Sequence, residues 1–168
     1  MLIEIRDECC EDITAIREVN RRAFQQEEES NIVDALRVNG GTLLSLVATV
    51  NDQVVGHIMY SPVTIAENVN GVALGPMAVV PEHQRKGIGT RLVEAGNRKI
   101  KDAGYPFIIV VGHAEYYPRF GFSLASEYGI KCEWDVPDNS FMLLILDREK
   151  MQGVSGLARY RLEFSSVS

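Results

Sequence analysis

The most constraining stretch of the sequence is residues 72–111, where two apolar segments enclose a glycine-containing loop and an amphipathic segment. The first apolar segment spans residues 72–80, and the second, 107–111, is a short continuous run typical of a buried strand. Between them, residues 87–103 place apolar side chains on one helical face, and Gly104 closes the helix. This order predicts a β-α-β unit with a right-handed crossover.

The flanking segments add further strands and a pair of helices. Asp12 is the predicted N-cap of a helix that runs to Phe24, and a second amphipathic helix ends before Gly40. A brief helix or turn fits residues 116–120. Further strands are predicted at residues 2–6, 43–50, 54–60 (closed by Pro62), 130–134, 141–146 and 158–164. The order β-αα-β-β-β-α-β-α-β-β is typical of an α+β fold with α/β/α layers, in which helices cover both faces of a mixed sheet.

Composition excludes several broad classes of protein. With 168 residues, 46% apolar and 24% charged, the chain fits one globular domain over residues 1–168. It has no apolar run of membrane-spanning length and no signal peptide, so we expect a cytoplasmic protein without a membrane partner. A net charge of −6 argues against a nucleic-acid partner. Cys9, Cys10 and Cys132 form neither a metal-ligand spacing nor a disulfide framework, and no metal is predicted.

The loop before the predicted helix at 87–103 has the chemistry of an anion site. Its sequence is Gln84-Arg85-Lys86-Gly87-Ile88-Gly89. The amides of a helix's first turn have no acceptor within the helix, and the helix dipole adds positive charge beside them. The two glycines would let a diphosphate approach this backbone, although alone they also fit tight helix–strand packing. The P-loop pattern and the third glycine of a dinucleotide fingerprint are both missing.

A second motif follows about 28 residues later. Its sequence is Tyr116-Tyr117-Pro118-Arg119-Phe120-Gly121-Phe122. The first motif resembles the acyl-CoA-binding motif Gln/Arg-x-x-Gly-x-Gly/Ala of the GNAT superfamily of N-acetyltransferases. The second resembles that family's tyrosine placed four residues before a Gly-Phe pair, in a form that is similar to one uncharacterised bacterial branch. Together with the element order, the resemblance covers nearly the whole chain.

The resemblance implies a mixed, mostly antiparallel sheet whose two central strands splay apart, and transfer of an acetyl group from acetyl-CoA to a primary amine. It places the pyrophosphate of CoA on the backbone of Arg85, Lys86, Gly87, Ile88, Gly89 and Thr90. The pantetheine arm would pair with Met77, Ala78 and Val79, beside Pro76, which cannot continue a ladder. An amide near Val79 would polarise the thioester carbonyl, and Tyr117 would protonate the leaving thiolate.

Some roles stay open at this stage. Tyr116 is expected to be a packing partner of the catalytic tyrosine. Because the strand at 74–80 carries no acid, the general base is unassigned, and a water chain is a further route. The candidate bases are Glu28, Glu29, His57 and His113. Cys132 is not expected to form a covalent intermediate, since no histidine lies near it in sequence.

Two alternatives to an enzyme remain: a CoA-binding sensor or regulatory module without turnover, and a structural subunit. The acceptor is unidentified and is expected to be a small-molecule or peptide amine. Residues 1–38 are rich in acids, which favours a cationic acceptor. An exposed strand edge is compatible with a homodimer.

Overall fold

The computed structural model describes residues 2–167. A sheet of nine strands dominates this part of the chain. The strands are β1 (Ile3–Asp7), β2 (Leu44–Val50), β3 (Gln53–Ile65), β4 (Val69–Val79), β5 (Phe107–Val111), β6 (Ser123–Leu124), β7 (Ile130–Cys132), β8 (Phe141–Ile145) and β9 (Gly156–Tyr160). The α-helices are α1 (Ile13–Phe24), α2 (Glu28–Val38) and α3 (Ile88–Asp102). Every predicted strand and helix is present, and β6 is an addition.

The sheet is mixed and mostly antiparallel, as the resemblance implied. Neighbouring strands follow the order β1-β2-β3-β4-β5-β8-β6, and β9 pairs with both β3 and β7. The β4–β5 and β7–β9 pairs are parallel, and the other pairs are antiparallel. Helix α3 connects β4 to β5, so the predicted β-α-β unit is confirmed.

The sheet opens between β4 and β5, which confirms the predicted splayed pair. The two strands pair over a short stretch that ends at Leu74 and Val110. Beyond it, β4 continues to Val79 in register with β3. Gly75 and Pro76 mark the divergence. Gly75 has a φ of +140°, which L side chains rarely adopt, and Pro76 has no N–H for a ladder.

Helices cover both faces of the sheet. Helix α3 packs, through residues that include Leu92, on the face that carries Leu46 and Ile58. Helices α1 and α2 pack on the opposite face, against Val47 and Met59. Neighbouring residues such as Leu46 and Val47 contact different helices because successive side chains of a strand point to opposite faces of the sheet. The predicted α/β/α layering is therefore confirmed.

The prediction that Pro62 closes its strand was wrong, because β3 continues to Ile65. On one edge of β3, the pairing with β2 ends at Tyr60 and the pairing with β9 begins at Val63. Pro62 lies in the break between these neighbours, where a missing N–H costs no ladder bond.

Two further predictions were corrected at the ends of elements. The last strand ends at Tyr160 rather than at residue 164, and a 3₁₀ helix, Leu162–Val167, follows it. Asp12 occupies the N-cap position of α1 but makes no side-chain cap hydrogen bond there. Instead, its carboxylate accepts hydrogen bonds from the amide of Cys9 and the guanidinium of Arg6.

Candidate active site

The loop between β4 and α3 turns on two residues with left-handed backbone. Arg85 has a φ of +63° and Gly87 a φ of +83°, and α3 begins at Ile88. Just before them, Nε2 of Gln84 donates a hydrogen bond to the carbonyl oxygen of Val79 at 2.9 Å. This bond ties the loop to the end of β4. The first turn of α3 follows directly, and its amides have no acceptor within the helix.

A groove of about 670 Å³, which we call the loop groove, runs along this loop. Eight of the nine residues predicted to hold CoA line it: Met77, Ala78, Val79, Arg85, Gly87, Ile88, Gly89 and Thr90. The ninth, Lys86, is exposed and is not part of the lining. A Cβ at Gly87 would project into open space, and a Cβ at Gly89 would come within 3.2 Å of the Tyr116 hydroxyl. The two glycines therefore keep the loop backbone accessible to an anion.

Past the divergence, one edge of β4 faces the gap rather than a neighbouring strand. The amide of Val80 donates to the carbonyl of Val55 at 2.9 Å, so it points toward β3. Because strand amides alternate in direction, those of Val79 and Met77 point away from β3. An extended ligand can pair with a strand edge of this kind.

A second cavity, of about 470 Å³, lies where β4 and β5 diverge, and we call it the splay cavity. Its lining includes Gly75 on β4 and Gly112 just after β5, together with side chains from α1, α2, β9 and the segments that follow β7 and β9. The loop groove and the splay cavity share four lining residues: Phe24, Met77, His113 and Tyr116. The two spaces therefore meet at the open edge of β4.

Tyr117 lines the splay cavity and is the first residue of the 3₁₀ turn Tyr117–Phe120. Its buried ring packs edge-on against Tyr116 and Phe122, with centroid separations of 5.1 and 5.7 Å. Burial raises the pKa of the Tyr117 hydroxyl well above its usual value of 10, and Tyr116 adds to the shift. The hydroxyl is therefore protonated at neutral pH, as a proton donor must be.

Tyr116 lies between the two cavities and lines both. It packs against Tyr117, as predicted, but it also makes polar contacts. Its hydroxyl is 3.3 Å from Oγ1 of Thr90 in the first turn of α3. The guanidinium of Arg119 stacks over its ring, 4.5 Å from the centroid. Tyr116 thus connects the second motif to the loop groove, a contact that the sequence did not predict.

The structure brings two of the four candidate bases to the splay cavity. Glu29 and His113 line it, whereas Glu28 is exposed and outside the lining. His57 lines neither cavity, and it is fully buried with both ring nitrogens in contact with buried polar side chains. Burial lowers the pKa of His57 to about 3. His57 is therefore not positioned to take a proton from an acceptor in either cavity.

Five of the ten acids of residues 1–38 form ion pairs with arginines of the same segment. The pairs are Arg6–Asp12, Arg17–Glu27, Arg17–Asp34, Arg21–Glu18, Arg37–Glu8 and Arg37–Asp34. The segment remains net negative, with ten acids against five arginines, and attraction of a cationic acceptor stays a prediction. Glu29 is the carboxylate of this segment that lines the splay cavity.

Besides Phe24, three aromatic residues of the splay cavity were not predicted as site residues: Trp134, Tyr160 and Phe164. They come from the C-terminal part of the chain, and the ring centroids of Trp134 and Tyr160 are only 4.4 Å apart. Their residue types are consistent with a ligand site. No local pattern, however, indicates that they meet at the gap between β4 and β5.

The remaining predictions concern a thiol and a metal. Cys132 is half-buried, and burial raises the pKa of its thiol, which makes it a poor nucleophile. Within residues 2–167, no group of three or more potential ligands is arranged to hold a metal ion. Over the same residues, none of the helices is long and apolar enough to cross a membrane.

Comparison with known proteins identifies relatives over nearly the whole chain. The acetyltransferase (GNAT) domain family matches residues 42–124. The uncharacterized N-acetyltransferase YhbS of Escherichia coli is 32% identical over 163 residues, which are 96% of this chain and 98% of YhbS. The crystal structure of YhbS in complex with CoA matches with a TM-score of 0.93, covering 97% of this chain and 92% of that one. A GNAT family acetyltransferase from Brucella melitensis in complex with acetyl-CoA has a TM-score of 0.82 at 33% identity, covering 97% and 98% of the two chains.

Proposed function

The chain is an N-acetyltransferase of the GNAT superfamily, and we propose that its two connected cavities bind acetyl-CoA and a primary amine for direct acetyl transfer. The observation that carries the proposal is the unpaired edge of β4, which starts at the divergence from β5 and leads straight into the glycine loop. Acetyl-CoA needs both features in this order, because its thioester arm would pair with the strand edge and its diphosphate would bind the glycine loop.

Acetyl-CoA is proposed to occupy the loop groove. The amides of residues 85–90 would hold its pyrophosphate, because they combine the first-turn amides of α3 with the positive end of its dipole. The open amide of Val79 would pair with its pantetheine arm, and that of Met77 lies where the two cavities meet. The relatives support acetyl-CoA as the ligand, because YhbS was crystallised with CoA and the Brucella enzyme with acetyl-CoA.

The residues around the gap then have distinct roles in the transfer. Bound acetyl-CoA supplies the thioester carbonyl that a neutral amine attacks, so that an N–C bond forms as the C–S bond breaks. The next open amide beyond Val79, that of Met77, donates a hydrogen bond to the carbonyl oxygen. The hydroxyl of Tyr117 gives its proton to the departing sulfur. The amine's proton leaves through Glu29, His113 or water and restores Tyr117, so no net proton is consumed.

Two measurements test this proposal. Titration calorimetry should show saturable binding of acetyl-CoA at one site per chain. Mass spectrometry should then show an N-acetylated product from a panel of primary amines, which avoids the background that exposed Cys9 and Cys10 give with thiol reagents. Absence of acetyl-CoA binding would overturn the proposal. Tight binding without acetylation of any amine would instead favour the CoA-binding sensor.

A further inference from the structure

The splay cavity has an aromatic wall, formed by Trp134, Tyr160 and Phe164. The three ring centroids lie 4.4, 5.3 and 6.3 Å apart. Phe24 and Ile32 also line the cavity, so its surface is largely apolar. A flat apolar group is the best match for such a wall, because aromatic rings bury large areas and pack edge-on or offset against one another.

The lining of the splay cavity contains one carboxylate and one histidine, His113. Glu29 is the carboxylate in the lining, and within residues 2–167 the lining contains no lysine or arginine. Both carboxylate oxygens of Glu29 accept hydrogen bonds from Nε2 of Gln26, at 3.0 and 3.1 Å. Gln26 is neutral, so it does not cancel the charge of Glu29. The cavity therefore favours a cation over an anion.

Tyr160 contributes its ring to the aromatic wall. Its hydroxyl is buried, has no hydrogen-bond partner within residues 2–167 and does not face the cavity. A mostly apolar cavity with a few polar groups is the usual composition of a small-molecule site.

The position and size of the splay cavity fit an acceptor. Its volume of about 470 Å³ lies within the range of roughly 300–1,000 Å³ that is usual for ligand pockets. It meets the loop groove at Met77 and Tyr116. An amine that extends from the aromatic wall toward this junction therefore approaches the proposed position of the thioester.

Resting on the proposed function, we propose that the acceptor is an arylalkylamine, a primary amine joined by a short alkyl chain to a flat aromatic ring. The ring packs against the wall of Trp134, Tyr160 and Phe164, and Glu29 attracts the ammonium form as it enters. Polyamines are disfavoured because a single carboxylate faces them. Free amino acids are disfavoured because no lysine or arginine in the described lining would meet their carboxylate.

Trp134 is the only tryptophan in the chain, so its fluorescence reports on the splay cavity directly. We expect 2-phenylethylamine to change this emission saturably in the presence of CoA, which prevents turnover. Two matched compounds should give no saturable change at the same concentrations: 3-phenylpropionate, which has the ring and the opposite charge, and ethanolamine, which has the amine without the ring. An equal response to either compound, or no response to 2-phenylethylamine, would overturn the inference.

Kinetic variants test the same contacts during turnover. Glu29→Gln should raise the KM for 2-phenylethylamine about tenfold, because a hydrogen bond to a charged group is lost. Glu28→Gln, the exposed neighbour, should leave this KM unchanged. Trp134→Leu should also raise it, whereas Tyr128→Leu, at an exposed aromatic outside the cavity, should not. An unchanged KM in both Glu29→Gln and Trp134→Leu would refute the assignment.

Failure of this inference can be told apart from failure of the proposed function. Acetyl-CoA binding is measured without an acceptor and does not depend on the aromatic wall. If the enzyme acetylates ethanolamine or spermidine but not 2-phenylethylamine, the acetyltransferase function stands and the aromatic acceptor is wrong. If acetyl-CoA does not bind at all, the proposed function itself is wrong.

Discussion

The ring of Tyr117 lies directly against the backbone of Gly112, so closely that a Cβ at Gly112 would overlap the ring. Gly112 immediately follows β5, and its amide donates to the carbonyl of Ser140 at 2.9 Å. The end of β5 therefore sets the position of the proposed acid. The absence of a side chain at residue 112 is what allows the tyrosine to reach the splay cavity.

Gly112→Ala should displace Tyr117 and lower kcat roughly 10- to 100-fold, because a shift of about 1 Å in a catalytic group can cost this much. The control is Gly96→Ala on α3, whose Cβ would overlap the buried ring of Tyr60, which lines neither cavity. Both variants should lose about 1–3 kcal/mol of stability through overpacking. Equal kcat values for the two variants would show that the Gly112 contact matters only for packing.

Tyr117→Phe should lower kcat by about 10²-fold or more while leaving acetyl-CoA affinity unchanged, since only the proton donor is removed. Tyr116→Phe is the matched control and should change kcat far less. Steady-state kinetics and calorimetry measure the two effects. If Tyr116→Phe loses turnover and Tyr117→Phe keeps it, the proton donor is Tyr116 rather than Tyr117.

The pH profile gives a separate test of Tyr117. The phenol's usual pKa predicts an alkaline limb near pH 10, but burial raises the pKa of Tyr117 above that value. The proton needed by the leaving sulfur is therefore still present at pH 10. We expect kcat of the wild type to show no phenol-dependent decline below pH 10. A decline centred below that pH, absent in Tyr117→Phe, would contradict the buried position of this hydroxyl.

Gly87→Ala should weaken acetyl-CoA binding at least tenfold, because its Cβ would project into the space where the pyrophosphate is proposed to lie. Gly104→Ala, at the other end of α3, is a close control. The two glycines have φ of +83° and +90°, and neither would place a Cβ within 4 Å of another group. Both substitutions should cost about 1 kcal/mol of stability through left-handed strain. Equal acetyl-CoA affinities in the two variants would contradict the anion site.

Buried His57 should make the free energy of unfolding depend on pH. Nδ2 of Asn20 donates to its Nδ1 at 3.1 Å, and Oγ of Ser45, which itself donates to Glu8, is 2.9 Å from its Nε2. Burial lowers the pKa of His57 from 6.5 to about 3, so its contribution is complete above pH 6.5 and is lost as the pH falls toward 3. We expect a loss of about 2 kcal/mol between pH 7 and pH 5, measured by denaturant unfolding.

Two variants separate this effect from general acid sensitivity. His57→Gln should remove most of the loss between pH 7 and pH 5, whatever its stability at pH 7. His113→Gln, at an exposed histidine, should retain it. Glu8 acts at lower pH: burial alone would raise its pKa, but hydrogen bonds from Arg37 and Ser45 lower it below 4.5. A pH dependence that persists in His57→Gln would exclude the histidine as its source.

The sequence alone was sufficient for the parts of this protein whose chemistry is local. The start of α3 could be predicted because a helix N-terminus preceded by glycines has the same amide geometry wherever it occurs. Eight of the nine binding residues that the family resemblance implied line one groove. The divergence of β4 and β5 was implied by the family resemblance, and Pro76, which cannot continue a ladder, is consistent with it. The prediction at Pro62 failed because the cost of a proline depends on which strands lie beside it.

Only the tertiary structure decided which residues surround the acceptor. Glu29 on α2, Tyr117 after β5 and Trp134 after β7 line one cavity because the sheet order brings their segments to the same gap. The tertiary structure also excludes His57 as the general base, because the side chain is fully buried and lines neither cavity. Each of these outcomes depends on contacts between segments tens of residues apart. Such contacts are set by strand pairing and core packing across the whole sheet, and local sequence patterns do not encode them.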